Sequence, residues 1–355
     1  MAYQLGIPCG AFHTVTAPEH CAWPNLTLLP SGEIGAAIFN QPSHGAMEGD
    51  VELWVSEDAG YTWAMRSQIT QHEPGTNRMN VAAGLNQKGE LIVLCSGWNL
   101  DKLNRKVVEE DCLLPEVCIS GDNGHTWELV GEMPLPDDAR NCIPFGDVVI
   151  NGDELAVSVY SGEYTPDGHH TNNCSWLARS PDGGRTWGDY SLIGAANFNE
   201  TDLLITADGT WLAAARLLRF PSDYEGGGTA GANLILFSSQ DAGRSWQPQQ
   251  YLSLPSQHPA HLLQLADGRI LLTYGSRIPE CRGVLGKVSE DDGKSWSSAF
   301  TLCAGPLKHD WGYPSDVQLQ DGDIVTAYYC KWAPWCQRYH MGVLRWNLDM
   351  VDVGI

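Results

Sequence analysis

The chain has 355 residues, 43% hydrophobic and 18% charged, a composition typical of a globular protein with one large closed β-fold or two or three smaller domains. Its 43 acidic and 21 basic residues give a formal net charge of −22, which argues against nucleic acid and anionic membranes as partners. The sequence contains no run of eighteen apolar residues, so we expect no membrane span.

The N-terminal and cysteine patterns favour a cytoplasmic protein. The first residues lack a basic region followed by an apolar core, so no secretory signal is visible. Secretion or a periplasmic location would require that a leader had been removed. Eleven cysteines without a Cys-x-x-Cys pair favour buried, reduced thiols over a disulfide framework.

One motif, Ser-x-Asp-x-Gly-x-Thr/Ser-Trp, recurs along the chain and divides it into repeats. The five copies begin at Ser56, Ser120, Ser180, Ser239 and Ser289. Its chemistry is typical of a β-turn: short polar side chains bond back to the backbone, and Gly takes a left-handed conformation. The aspartates of this box motif are therefore predicted to be structural and not catalytic.

A tight hairpin turn precedes each box motif. The turns are Ser31-Gly32, Lys88-Gly89, Asn151-Gly152, Asp208-Gly209 and Asp267-Gly268, with a sixth, Asp321-Gly322, that no box follows. One strand, Tyr339 to Trp346, comes after the sixth turn, and we expect the N-terminus around Tyr3 to Ile7 to supply the missing outer strand. Six four-stranded units predict an all-β fold, a single six-bladed β-propeller over residues 1–355 with its ring closed by the N-terminal strand.

The loops between the second and third strands of each unit are long and share one face. They cover 41–50, 97–115, 162–173, 218–231, 276–282 and 331–337. Because function concentrates in the elaborated loops of a rigid scaffold, we expect the site on this face.

The innermost strand of each unit is expected to begin eight residues before its hairpin turn. These positions hold Trp23, Asn80, Ile143, Glu200, Pro259 and Tyr313. We expect Glu200 and Tyr313 to meet across the central funnel, with Arg216 and Arg282 on the same face. A carboxylate can take the proton of a phenol and so activate it as a nucleophile, and arginines bind carboxylates in bidentate fashion.

At these residues the chain resembles the sialidases (neuraminidases), whose Asp-boxes match the box motif. The resemblance is sharpest in two segments, Asn199-Glu200-x-x-Leu203-Leu204-x-x-x-Asp208-Gly209 and Gly312-Tyr313-Pro314-Ser315. It implies an exo-glycoside hydrolase with Tyr313 as nucleophile and Glu200 as its base. It also implies that Arg216 and Arg282 grip the carboxylate of an acidic sugar, without a metal or organic cofactor.

The sequence departs from the sialidase pattern at two places. Sialidases carry Phe-Arg-Ile-Pro where this chain has Cys21-Ala22-Trp23-Pro24, so the central carboxylate-binding arginine is absent. Arg78 is the favoured replacement, ahead of Arg140 and Arg277. The family's acid/base residue comes from the loop that here reads His44-Gly-Ala-Met-Glu48-Gly-Asp50, which offers Glu48 or Asp50, with Glu48 preferred.

Other polar and aromatic residues near the rim have both a functional and a structural interpretation. His258, His261, His309 and Asp310 are candidates for orienting sugar hydroxyls, although structural histidines are equally common in such places. Trp23 and Trp311 are candidates for stacking on a sugar, and packing would explain them as well. His169-His170 has no third ligand in register, so it predicts an exposed loop and no metal site.

The sequence therefore favours a sialidase-like hydrolase that acts on a glycan or glycoside. Two alternatives stay open. The missing arginine is compatible with a glycosidase or lyase acting on a different sugar, and the fold is also used by carbohydrate-binding propellers without catalysis.

Overall fold

The computed structural model describes residues 7–100, 111–164, 170–218, 232–305, 311–333 and 336–353. Within these ranges the protein has twenty-four β-strands and two three-residue 3₁₀ helices, Pro279–Cys281 and Leu348–Met350. The predicted all-β class is therefore confirmed. In the same ranges no helix is long and apolar enough to cross a membrane.

The strands form antiparallel units of four, of which the first three follow the chain. Unit 1 contains β2 (Cys21–Leu28), β3 (Ile34–Phe39), β4 (Val51–Ser56) and β5 (Ala64–Gln68). Unit 2 contains β6 (Thr76–Leu85), β7 (Leu91–Asn99), β8 (Cys112–Ser120) and β9 (Glu128–Glu132). Unit 3 contains β10 (Ile143–Asn151), β11 (Glu154–Tyr164), β12 (His170–Ser180) and β13 (Gly188–Gly194). A short parallel pairing of β6 with β10 joins units 2 and 3 into one eight-stranded sheet.

Units 4 and 5 also follow the chain, whereas unit 6 combines strands from both ends of the described residues. Unit 4 contains β14 (Phe198–Ile205), β15 (Trp211–Leu217), β16 (Asn233–Ser239) and β17 (Gln247–Tyr251). Unit 5 contains β18 (Gln257–Gln264), β19 (Ile270–Ser276), β20 (Gly283–Ser289) and β21 (Phe300–Ala304). Unit 6 contains β22 (Trp311–Gln318), β23 (Ile324–Ala333), β24 (Cys336–Trp346) and the N-terminal β1 (Phe12–Pro18).

The N-terminal strand pairs where the sequence predicts, but it begins later. β1 lies antiparallel to β24, with Phe12 opposite Arg345. The predicted segment around Tyr3 to Ile7 lies, apart from Ile7, outside the described residues. The run Thr14-Val15-Thr16 favours the observed strand, because β-branched residues favour extended backbone.

The box motifs form the turns that their composition predicts. In the second copy, Asp122 accepts hydrogen bonds from the amide of Thr126 at 2.9 Å and from its hydroxyl at 2.6 Å. The Ser120 hydroxyl accepts from the amide of Gly124, whose φ is 81°. The aspartates of the other four copies accept the same pair of hydrogen bonds. The carboxylates are thus used within their own turns.

The hydrophobic core is divided among the spaces between units. Separate buried clusters fill the contacts of units 1 and 2, 2 and 3, 3 and 4, 4 and 5, 5 and 6, and 6 and 1. A further, mainly aromatic cluster joins units 1, 2, 3 and 6, and it includes Tyr160, Tyr313, Tyr329 and Tyr339. Because neighbouring units bury one another's apolar faces, no unit is expected to be stable alone.

We predict that Asp122→Ala lowers the free energy of unfolding by about 1–2 kcal/mol at pH 7, because several donors of the turn lose a charged acceptor. Hydrogen bonds from Thr126 lower the pKa of Asp122 from 3.8 to about 2. Its contribution is therefore complete above pH 3.8 and is lost as the pH falls through about 2. Urea denaturation across this range measures the effect. Asp153→Ala, at an exposed hairpin turn, is the control, and equal losses in both variants would contradict the prediction.

Candidate functional site

Each innermost strand carries an irregularity in its pairing near its start. The register shifts lie between Cys21 and Asn25, Arg78 and Asn80, Phe145 and Val149, Phe198 and Thr201, Gln257 and Ala260, and Gly312 and Ser315. Such bulges re-aim side chains and often occur next to active sites. Four of the six predicted rim residues fall inside these intervals, namely Trp23, Glu200, Pro259 and Tyr313. Ile143 does not, because the irregularity in β10 comes after it and leaves it paired with Tyr160.

The backbone of Tyr313 adopts an uncommon conformation for a residue with a side chain. Its φ is 50°, and that of the preceding Gly312 is 119°. A Cβ atom on Gly312 would lie 2.9 Å from the Cα of Gly275, so the close approach of β22 to β19 requires glycine there. A left-handed non-glycine residue costs about 1–3 kcal/mol and is typical of functional sites. The fold therefore holds Tyr313 in an orientation that regular strand geometry would not give.

Tyr313, Glu200 and Arg216 meet in one buried group. The Tyr313 hydroxyl donates to Oε1 of Glu200 at 2.5 Å. Nη1 of Arg216 donates to Oε2 of the same carboxylate and lies 3.4 Å from the Tyr313 oxygen. The three residues are 8%, 7% and 5% exposed. The predicted contact between the phenol and the carboxylate is thus present in the structure.

Electrostatics shift the pKa values of Tyr313 and Arg216 in this group. Burial, and then the charge of Glu200, raises the pKa of Tyr313 well above its usual value near 10. Burial opposes the charge of Arg216, but Glu200 and Tyr313 nevertheless raise its pKa above the usual range. At neutral pH the tyrosine is therefore a protonated phenol that donates to Glu200, beside a fixed guanidinium charge.

The candidate arginines lie at different distances from Tyr313. Arg277 has its guanidinium carbon 6.0 Å from the Tyr313 ring centroid, and Nη1 donates to the His258 carbonyl at 2.6 Å. Arg282 donates through Nε to the carbonyl of Arg277 at 3.2 Å, so it lies behind that residue. Arg78, the favoured replacement, instead binds Glu116 at 2.8 Å and the Leu114 carbonyl at 2.7 Å. Arg277 directly follows β19, and in the pairing register Gly275 occupies the position that Arg216 has in β15, so strand equivalence would not have identified Arg277.

The two acids predicted for acid/base catalysis are engaged by His72. Asp50 is buried and accepts from the ring Nδ1 of His72 at 2.7 Å, from its backbone amide at 2.8 Å and from Thr70 at 3.0 Å. Glu48 has a 54% exposed side chain and lies 3.5 Å from the Nε2 of the same histidine. These contacts turn both carboxylates towards the β5–β6 connection and not towards Tyr313.

Aromatic rings form the wall beside the phenol. Trp23 lies 5.7 Å from Tyr313 between ring centroids, and Phe145 lies 6.1 Å away. The other side of Trp23 faces His44, at 4.9 Å. The sequence did not predict Phe145 or His44 at the site. Phe145 is brought there by the register shift in β10, and His44 by its contact with Trp23.

Below the phenol, the innermost strands contribute a group of buried polar residues. His261 lies 3.0 Å from Asp316 and 3.4 Å from Asp147, and Asp202 accepts the amide of Leu262 at 2.6 Å. Burial opposes the charge of His261, yet the neighbouring aspartates raise its pKa well above 6.5, while burial raises the pKa of Asp202. His261 is thus a charged link between strands. A cavity of about 20 Å³, enough for about one water, separates this group from Tyr313.

The remaining candidates have less connection with the phenol. Trp311 is 1% exposed and packs against Tyr328 in the core between units 5 and 6, so it is not available for stacking on a sugar. His258 is buried beside Arg277, at 3.5 Å. His309 and Asp310 lie outside the described residues. In the part of the chain that the structure describes, no three His, Cys, Asp or Glu side chains are placed to hold a metal ion.

Comparison with known proteins establishes the family. The model of the BNR repeat-like domain matches residues 32–326. This chain belongs to the BNR repeat-like family. Its fold is similar to that of solved sialidases, the family that its sequence motifs resemble. A comparison of the BNR protein with curated proteins finds no match.

Solved structures similar to this BNR protein include one of unknown function and two glycosidases. The protein of unknown function is from Dyadobacter fermentans, with a TM-score of 0.74 and 20% identity over 95% of this chain and 100% of that one. The Hadza microbial sialidase Hz136 has a TM-score of 0.68 and 16% identity over 93% of this chain and 66% of its own. The α-L-arabinanase of Penicillium chrysogenum, complexed with arabinobiose, has a TM-score of 0.65 and 16% identity over 94% and 98%. At these identities the likeness shows a shared fold.

We predict that Arg216→Met lowers the free energy of unfolding by about 3–5 kcal/mol, because it leaves Glu200 charged and buried without its cation. The double variant Glu200→Gln/Arg216→Met should recover most of this loss, since no unpaired charge then stays buried. Urea denaturation at pH 7 measures both. Arg185→Met is the matched control, because the Arg185–Glu128 pair is exposed and its loss should change little. Indistinguishable midpoints for Arg216→Met and Arg185→Met would contradict the prediction.

Proposed function

We propose that this BNR protein is a glycoside hydrolase in which Tyr313 is the nucleophile and Glu200 is its base. The observation that carries the proposal is the 2.5 Å hydrogen bond from the Tyr313 hydroxyl to Glu200, in a buried group that also contains Arg216. Burial raises the pKa of Tyr313, so the phenol cannot act as a nucleophile unless its proton has an acceptor in contact. Glu200 is that acceptor.

The proposed reaction has two displacements at one carbon. The Tyr313 oxygen attacks the anomeric carbon while its proton passes to Glu200, and the glycosidic bond breaks as a general acid gives a proton to the leaving oxygen. Arg216 holds the other oxygen of Glu200, which keeps the carboxylate aimed at the phenol. Water then displaces the tyrosine from the sugar and gives a proton to the same group, now a base, and the phenol recovers its proton from Glu200. Two inversions give overall retention of the anomeric configuration.

The scaffold that we propose for this reaction is a closed, six-bladed propeller, with each four-stranded unit as one blade. Three features support it. β1 completes unit 6, a core cluster joins unit 6 to unit 1, and β2 contacts both β6 and β22. Tyr313 and Glu200 are then two blades apart around a common axis, which explains how strands distant in sequence reach the same pit.

For the substrate we propose a terminal acidic sugar of the sialic acid type. Arg277 supports this choice, because its guanidinium lies beside the Tyr313 ring, where a sugar carboxylate would be adjacent to the reacting carbon. Arg216 adds a second positive charge to the same pit.

A neutral sugar is the second candidate, and one observation favours it. Where sialidases have their central arginine this chain has Ala22, and the following Trp23 lines the pit beside Phe145. An aromatic wall suits the apolar face of a neutral sugar better than a carboxylate. The arabinobiose-bound arabinanase with a similar fold is compatible with such a substrate.

We predict that the protein releases 4-nitrophenol from one member of a panel of chromogenic glycosides that includes an α-sialoside and an α-L-arabinofuranoside. Tyr313→Phe should lower kcat/KM by about 10³-fold or more, because it removes the nucleophile, and Glu200→Gln should have a similar effect. Tyr251→Phe, at an exposed tyrosine, is the matched control and should leave the rate unchanged.

The identity of the sugar released decides between the acidic and the neutral substrate. Proton NMR of the first-formed anomer should show retention. A Tyr313→Phe variant as active as the wild type, or inversion at the anomeric carbon, would overturn the proposed mechanism. Binding of a glycoside without any release would favour a carbohydrate-binding propeller.

A further inference from the structure

His44, in the β3–β4 loop, contacts the aromatic wall beside the phenol. It is exposed, and its ring meets the Trp23 indole at 4.9 Å between centroids with an interplanar angle of 73°. The same indole lies 5.7 Å from the Tyr313 ring. Trp23 therefore contacts both a solvent-accessible imidazole and the buried phenol.

The backbone of the loop is fixed by contacts with unit 2. Asn77 is buried and donates through its amide to the carbonyls of Met47 at 3.2 Å and Gly45 at 3.4 Å. The amide of Arg78 donates to the Gly49 carbonyl at 2.9 Å. These bonds hold both sides of the loop tip, so the position of His44 is set by packed elements, as a catalytic group requires.

The acids of the same loop are directed elsewhere. Asp50 has its oxygens occupied by Gln68, Thr70 and His72, and Glu48 faces His72 as well. The carboxylates of the loop thus contact His72, whereas its imidazole contacts Trp23.

We propose that His44 is the general acid/base of the reaction at Tyr313, an inference that rests on the proposed function. An imidazole can give and take a proton near neutral pH. In the first step His44 gives its proton to the glycosidic oxygen as the bond from that oxygen to the anomeric carbon breaks and the bond to Tyr313 forms. In the second step His44 takes a proton from the attacking water, while the bond between Tyr313 and the sugar breaks. Each group ends in its starting protonation state, and water is the only co-reactant.

The leaving group provides the test. We expect His44→Ala and His44→Gln to lower kcat/KM by about 10²-fold or more on the methyl glycoside of the sugar released in the panel, because an alkoxide needs a proton to depart. On the 2,4-dinitrophenyl glycoside, whose leaving group needs no proton, the loss in the bond-breaking step should be less than about tenfold. Sodium azide should restore turnover of this substrate in His44→Ala and give a glycosyl azide, because azide needs no base to attack.

The controls separate failure of this inference from failure of the proposed function. His125→Gln changes an exposed histidine in a box turn and should behave as the wild type on both substrates. If Tyr313→Phe is inactive but His44→Ala loses the same factor on both glycosides and azide has no effect, the inference is overturned and the proposed function survives. The same holds if the dependence on the leaving group appears in Glu48→Gln and not in the His44 variants. If Tyr313→Phe keeps full activity, both proposals fail. A melting temperature within about 2 °C of the wild type shows that His44→Ala is folded.

Discussion

The site depends on one buried carboxylate that is shared between a phenol and a guanidinium. One oxygen of Glu200 accepts a hydrogen bond from Tyr313 and the other accepts one from Arg216, so the two contacts depend on the same side chain. Without the arginine, the carboxylate would be an unpaired buried charge. Without the carboxylate, the phenol would have no acceptor for its hydrogen bond and the guanidinium no partner for its charge. The three groups together therefore satisfy one another at this depth.

The innermost strands provide this arrangement because each departs from regular pairing near its start. A regular strand alternates its side chains between its two faces, which in each unit are covered by the neighbouring units. The interruption near the start of each innermost strand releases two or three residues from that alternation. Tyr313, with its left-handed backbone, and Glu200 both come from such interruptions. The same interruption therefore presents different side chains in different units, and in units 4 and 6 it brings Glu200 and Tyr313 into contact.

Much of this was predictable from the sequence, and the exceptions have physical causes. Hairpin turns and box motifs depend on local chemistry, so the four-stranded units and the pairing of Tyr313 with Glu200 follow from spacing alone. β1 begins later than predicted, at Phe12, where the β-branched run Thr14-Val15-Thr16 favours extended backbone. The hydrogen bond between Asp50 and His72 could not be predicted, because His72 follows β5 and is separated from Asp50 by 22 positions in the sequence. His44 could likewise not be identified from the sequence, because its position at the site is known only from its contact with Trp23. The backbone of Trp23 is itself unusual, with a φ of 113°.

The composition of unit 6 links the site to the order in which the polypeptide is made. Its fourth strand, β1, belongs to the first residues that the structure describes, whereas its other three strands are the last. Tyr313 lies on the innermost of those three, more than a hundred residues beyond Glu200. During translation, unit 4 therefore leaves the ribosome with Glu200 already present, while β1 has no partner strand yet. Tyr313 arrives with the strands of the sheet that β1 completes, so unit 6 and the contact of Tyr313 with Glu200 both depend on the last strands to be made.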